Sequence, residues 1–132
     1  MSAVVNLVGR GMLSAIFIGS AVGQALNLER TLSYMELHGM PAPLLFLVLA
    51  ILVELLGGLS LLLGIKARCG GLSLFFFLLT ATLIFHTDFS DEVQQIMFMK
   101  NLAIMGGLLM VAANGSGSLS LEDSCRKDGP GC

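Results

Sequence analysis

The sequence predicts an all-α protein, a transmembrane four-helix bundle with both termini on the cytoplasmic side. Three observations point there. First, 55% of the 132 residues are hydrophobic and only 12% are charged, against about 25% charged in a soluble domain. A chain this short has too little interior to bury so much apolar side chain in water, whereas in lipid those side chains can face outward. Second, four apolar segments each approach the roughly 20 residues needed to cross a hydrocarbon core of about 30 Å. Third, runs such as Leu61-Leu62-Leu63 and Phe75-Phe76-Phe77-Leu78-Leu79 lack the apolar–polar alternation of a barrel strand. A helix satisfies its own backbone groups, as a membrane interior requires, and the 16 glycines suit membrane helices.

The first span covers about 3–26 and is interrupted by Arg10. Its run Met12–Val22 followed by Gly23-Gln24-Ala25 has the small-x-small form of a cleaved leader, but Arg10 is the only charge before it, so the segment is read as a retained helix. A polar connection with Glu29, Arg30, Glu36 and His38 ends in Pro41 and Pro43, which break the chain before the second span. That span, about 44–65, contains Glu54. A tight turn carrying Lys66 and Arg68 leads to the third span, about 69–86, uncharged as far as His86. An acidic connection with Asp88, Asp91 and Glu92 precedes the fourth span, about 96–113, which contains Lys100 and Asn101. Asn114-Gly115-Ser116-Gly117-Ser118 ends it. Residues 1–118 therefore form one transmembrane domain, and 119–132 a polar cytoplasmic tail expected to be mobile.

Charge placement sets the orientation. Arg10, Lys66, Arg68, Arg126 and Lys127, five of the seven basic residues, share one side, while Arg30 and Lys100 lie on the other beside Glu29, Glu36, Asp88, Asp91 and Glu92. The positive-inside rule makes the first side cytoplasmic. A net charge of −2 without a basic run argues against nucleic acid as a partner. Cys69, Cys125 and Cys132 form no CxxC and have no metal-site spacing, so no metal is expected. Cys125 and Cys132 are read as free thiols on the reducing side.

Gly11, Ala15, Gly19 and Gly23 recur every four residues, and Gly57-Gly58 and Gly106-Gly107 add close pairs. Such small residues let helices approach closely. They are assigned to packing within the bundle, with homo-oligomer formation through the first stripe as the alternative. The methionines of the fourth span are packing or lipid-facing residues.

Intramembrane charge is expensive, about 2.5–3.5 kcal/mol per residue on insertion scales, so Arg10, Glu54 and Lys100 stand out. Counted from the cytoplasmic ends, Arg10 lies roughly 10 Å deep and Glu54 roughly 16 Å, while Lys100 enters roughly 6 Å from the other side. One reading makes Glu54 the buried counter-ion of Arg10, with Lys100 reaching back to water. Another places Glu54, Lys100 and His86 around an outward-facing polar pocket that binds a quinone head group or relays a proton, with Asn101, next to Lys100, a further intramembrane polar candidate. A third is the substrate path of a small transporter. His38 and His86 make a poor haem pair, since His38 sits in a connection rather than on a span.

The order of these residues resembles the DoxX family of small four-helix membrane proteins. The matching stretches are Arg10 with 17–23, Tyr34-Met35-Glu36 with Gly39, Glu54-Leu55-Leu56-Gly57-Gly58 running to Gly64 and Arg68, and Phe85-His86. They continue through Phe98-Met99-Lys100-Asn101-Leu102 and Gly106-Gly107 to the closing Asn114–Asp123 segment. Family members often carry a Lys where Gln24 stands here. The resemblance implies an inner-membrane location and an association with quinone-linked oxidoreductases, in which a soluble or membrane redox partner takes part. The chain itself shows no cofactor fingerprint, no nucleophile with a base and no redox CxxC, so quinone is the one cofactor it suggests. A non-enzymatic membrane anchor or scaffold subunit remains the alternative, beside the small transporter.

Overall fold

The computed structural model describes residues 2–128, with side chains as far as 125. It is helical throughout: α1 Ser2–Leu26, α2 Leu28–Leu37, α3 Pro43–Leu63, α4 Ala67–Phe85, α5 Glu92–Asn114 and α6 Leu121–Asp128. Four of these, α1, α3, α4 and α5, are long and apolar enough to cross a membrane. Among the described residues α1 packs on α3, α3 on α4, α4 on α5, and α5 returns to α1, so the four close a ring.

The helix ends follow from local chemistry. Pro43 opens α3 at a position where its missing N–H costs nothing. Gly64, at φ +69°, closes it: the N–H groups of Gly64 and Ile65 both donate to the Ser60 carbonyl. The α5 helix starts at Glu92 rather than near 96 because Asp91 caps it, its carboxylate accepting from the Val93 N–H at 3.0 Å. Just before it, the Ser90 hydroxyl and N–H donate to Asp88 and hold its carboxyl below the usual carboxylate range.

Two stretches differ from the sequence reading. The connection after α1 is not a loop, because 28–37 form the short helix α2, with Met35 buried against the bundle. At 10 residues it is too short to register as a span. The segment after α5 is not loose either. Ser120 is buried, its hydroxyl accepts from the Asp123 N–H at 3.1 Å and so caps α6, and Glu122 accepts from the Lys66 N–H at 2.9 Å. Cys132 lies outside the described residues, as do the side chains of Arg126 and Lys127.

Glycines build the half of the bundle that holds the two chain ends. A Cβ on Gly58 would meet the Ile18 side chain, and one on Gly57 would meet Leu74. Gly70 lies on Ser60, Gly71 on the Leu108 carbonyl, and Gly107 on Leu13. Each of the four interfaces in the ring thus has a glycine at its close approach. The stripe Gly11, Gly19 and Gly23 does not take part, for a Cβ at any of these meets nothing within 4 Å, and the same holds for Gly106. Ala15 is exposed. The inward face of α1 is instead Arg10, Ser14, Phe17 and Ala21. In lipid a polar side chain must find a protein partner, whereas a glycine loses little by facing out, so the polar residues determine which way α1 turns.

Alanine at Gly57 and at Gly19 should therefore act in opposite directions. At Gly57 the new Cβ would stand 2.6 Å from Leu74 Cγ in the core, and overpacking costs about 1–3 kcal/mol. At Gly19 the gain in helix propensity should stabilise by roughly 0.5–1 kcal/mol. Thermal unfolding in detergent reads both; equal shifts would contradict the packing described.

Candidate functional site

Glu54 sits near the middle of α3, 5% exposed. Ser20 and Gln24, one turn apart on α1, face it from the neighbouring helix. Ser20 Oγ donates to Glu54 Oε1 at 2.9 Å, and Gln24 Nε2 donates to Oε2 at 2.7 Å and to Ser20 Oγ at 3.0 Å. Both partners are neutral. The carboxyl is thereby oriented by two donors, and no described cation contacts it.

Beside this triangle lies a cavity of about 480 Å³ with walls from α1 to α5. Its lining is mostly apolar, with Phe17, Phe46, Phe77 and Phe85 among it. The polar surface comes from Ser20, Gln24, Glu54, Thr31, Tyr34, Thr80, His86 and Asn101. On the α4–α5 side, Asn101 Nδ2 donates to Thr82 Oγ1 at 2.9 Å, and His86 Nδ1 shares a 2.7 Å hydrogen bond with Gln94 Oε1. The α2 helix covers the end away from the glycines. There the Tyr34 ring lies 4.4 Å from His38 and 5.4 Å from Phe85, centroid to centroid. The Nδ1 of His38 is engaged with the Tyr34 carbonyl at 2.8 Å. An apolar chamber with a few convergent polar groups is the usual form of a small-molecule site.

The structure brings Glu54, His86 and Asn101 to one cavity and leaves Arg10 and Lys100 away from it. Lys100 is exposed, its Nζ 3.9 Å from Met97 Sδ; Asn101, one position on, is the residue that turns inward. Arg10 does not pair with Glu54. It is 1% exposed and donates from Nη1 to the Leu61 carbonyl at 3.2 Å and from Nη2 to the Leu119 carbonyl at 2.6 Å. Leu61 lies in the last turn of α3, where carbonyls lack helical partners and the helix dipole favours a cation. The expected pairing fails on register. Arg10 lies about two turns into α1 but faces the end of α3, so α1 projects beyond α3 there. That leaves Glu54 about two turns away, roughly 10 Å.

Ser20 and Gln24 were not legible as partners of Glu54. A Ser and a Gln at i and i+4 on a membrane helix are the signal that finds them, since such groups need a partner across a helix interface. The role of α2 as a wall of the site had no counterpart in the span pattern.

The DoxX family model matches residues 5–87, a stretch that includes Arg10, Gln24, Glu54 and His86 and stops before α5. The chain is 39% identical over 116 residues to "Inner membrane protein YqjF" of Escherichia coli K12, covering 88% of each. It is 28% identical over 124 residues to "Inner membrane protein YphA" of the same organism, covering 90% of this chain and 89% of that protein. No solved structure matches the chain.

The separation of Arg10 from Glu54 has an energetic consequence. Arg10→Ala should cost about 3 kcal/mol, since two carbonyls lose a charged donor, and Glu54→Ala about 1–3 kcal/mol. In the double variant the losses should add to within about 0.5 kcal/mol, as for residues that share no partner. Recovery of stability in the double variant, measured by unfolding in detergent, would mean that the two are paired after all.

Proposed function

The chain belongs to the DoxX family, and we propose that it is an inner-membrane protein whose cavity at Glu54 binds a small amphipathic molecule of quinone type. This makes it a redox-linked membrane subunit. The observation that carries the reading is the buried carboxyl of Glu54, oriented by Ser20 and Gln24 at the edge of an apolar, phenylalanine-lined cavity. The volume of about 480 Å³ falls within the roughly 300–1,000 Å³ typical of small-molecule sites. The lining suits a planar apolar ring with a polar head: aromatic side chains for the ring, and Glu54, Gln24 and the Tyr34 hydroxyl for the head.

A bound quinone supplies the capacity to carry electrons and protons within the bilayer; the electrons come from a partner protein. The side chains of this chain bind and orient. The phenylalanines exclude water from the ring, and Ser20 and Gln24 keep Glu54 turned toward the cavity rather than along its own helix. In this reading the termini and the Lys66/Arg68 turn face the cytoplasm, supported by five of the seven basic residues, and α2 with the open half of the cavity faces the other side.

The composition offers a direct optical test. The chain has one tyrosine and no tryptophan, and that tyrosine, Tyr34, lines the cavity. Its emission should be quenched saturably by a short-chain quinone added to protein in lipid vesicles, after correction with free tyrosinamide. Glu54→Gln keeps the shape and should weaken the apparent affinity by about tenfold, the worth of one polar contact. Linear quenching that is the same in parent and variant would overturn the proposal.

A further inference from the structure

A second concavity lies between the end of α1 and α2, with Asn27, Arg30 and Ser33 in its lining. Unlike the inner cavity its lining is rich in polar groups, and its residues belong to the end of α1, to Asn27 at the junction and to α2. Four side chains, Ser20, Gln24, Thr31 and Tyr34, line both spaces. They form the wall between them. Glu54 lies on the inner side only.

We infer that the site is entered from water, along the groove between α1 and α2, and that Gln24 is the residue that closes the entrance. The amide of Gln24 is tied to Glu54 and to Ser20 by single hydrogen bonds of 2.7 and 3.0 Å. When it rotates away from them, Ser20, Thr31 and Tyr34 are left as a polar passage to the carboxyl. In the opposite half of the bundle the glycine contacts bring the helices together and Ser14 donates to the Gly58 carbonyl at 2.7 Å; the concavity there, between α1 and α5, is not lined by Glu54. The passage admits water and small polar solutes to the polar end of the site, while the ring-lined part remains dry. The inference rests on reading the cavity as the functional site, but its test needs no ligand, so its failure and that of quinone binding are distinguishable.

The test uses the full chain with Cys69, Cys125 and Cys132 replaced by Ser, purified in detergent, carrying one new cysteine at a time. Ser33→Cys reports the groove alone, and Ala50→Cys, one turn before Glu54, reports the inner cavity alone. Ala81→Cys on α4 is a second inner probe should Ala50→Cys fold poorly. Each is treated with a negatively charged methanethiosulfonate and with an apolar maleimide. The charged reagent should modify Ser33→Cys quickly and the inner cysteine slowly. Adding Gln24→Ala should speed the inner cysteine by roughly tenfold, the effect of removing one or two hydrogen bonds from a closing barrier, and leave Ser33→Cys unchanged. An inner cysteine that reacts only with the apolar reagent, with or without Gln24, would show entry from lipid and overturn the inference. An inner rate with the charged reagent that ignores Gln24→Ala would remove Gln24 as the closure.

Discussion

The interface between α1 and α3 determines how the rest of the molecule is arranged, and it is held by polar groups within membrane-spanning helices. Arg10 reaches the Leu61 carbonyl, Ser14 the Gly58 carbonyl, and Ser20 and Gln24 the Glu54 carboxylate. As residue numbers rise on α1 they fall on α3, which defines an antiparallel register. In lipid each of these groups, left unpaired, costs more than it would in water. A slip of one turn along the seam would break all four contacts at once. The hydrophobic effect cannot supply this specificity, because lipid tails are as apolar as the leucines they touch.

From that seam the two halves of the bundle diverge. In the half holding the chain ends, Gly57, Gly58, Gly70, Gly71 and Gly107 bring the helices close. The tail belongs to this half, for Arg10 donates to Leu119 and a Cβ on Gly64 would strike both the Arg10 guanidinium and Ser120. In the other half larger side chains hold the helices apart, and α2 rather than a fifth span covers the gap. Arg10 and Glu54 thus serve different ends of one seam, the first securing the α3 end and the tail, the second facing the cavity. A buried guanidinium and a buried carboxyl on adjacent helices need not be partners when backbone carbonyls engage the first, through both Nη atoms but not Nε, and neutral donors engage the second.

Much of this was legible in the sequence. Apolar run length located the four spans, and the cost of intramembrane polarity singled out Glu54, whose cavity also takes in His86 and Asn101. The register of α1 against α3 was not legible. Depth counted from each segment's own end assumes that the helices begin level, and α1 does not begin level with the end of α3. The stripe Gly11, Ala15, Gly19 and Gly23 was misleading for a related reason: periodicity shows which residues share a face, but the demand for polar partners decides which face turns inward. Ser120 with Asp123 three positions on is the signature of a helix start, and it was available in a segment read only as a polar tail.

The most direct measurement of the seam is solid-state NMR on the protein in lipid bilayers, correlating glutamate side-chain carboxyl carbons with side-chain nitrogens. With Gln24 Nε2 placed 2.7 Å from Glu54 Oε2, the Glu54 carboxyl should correlate with the Gln24 amide nitrogen, and the correlation should vanish in Gln24→Leu. A correlation of Glu54 with the guanidinium of Arg10 instead would contradict the register on which this account of the fold and the site depends.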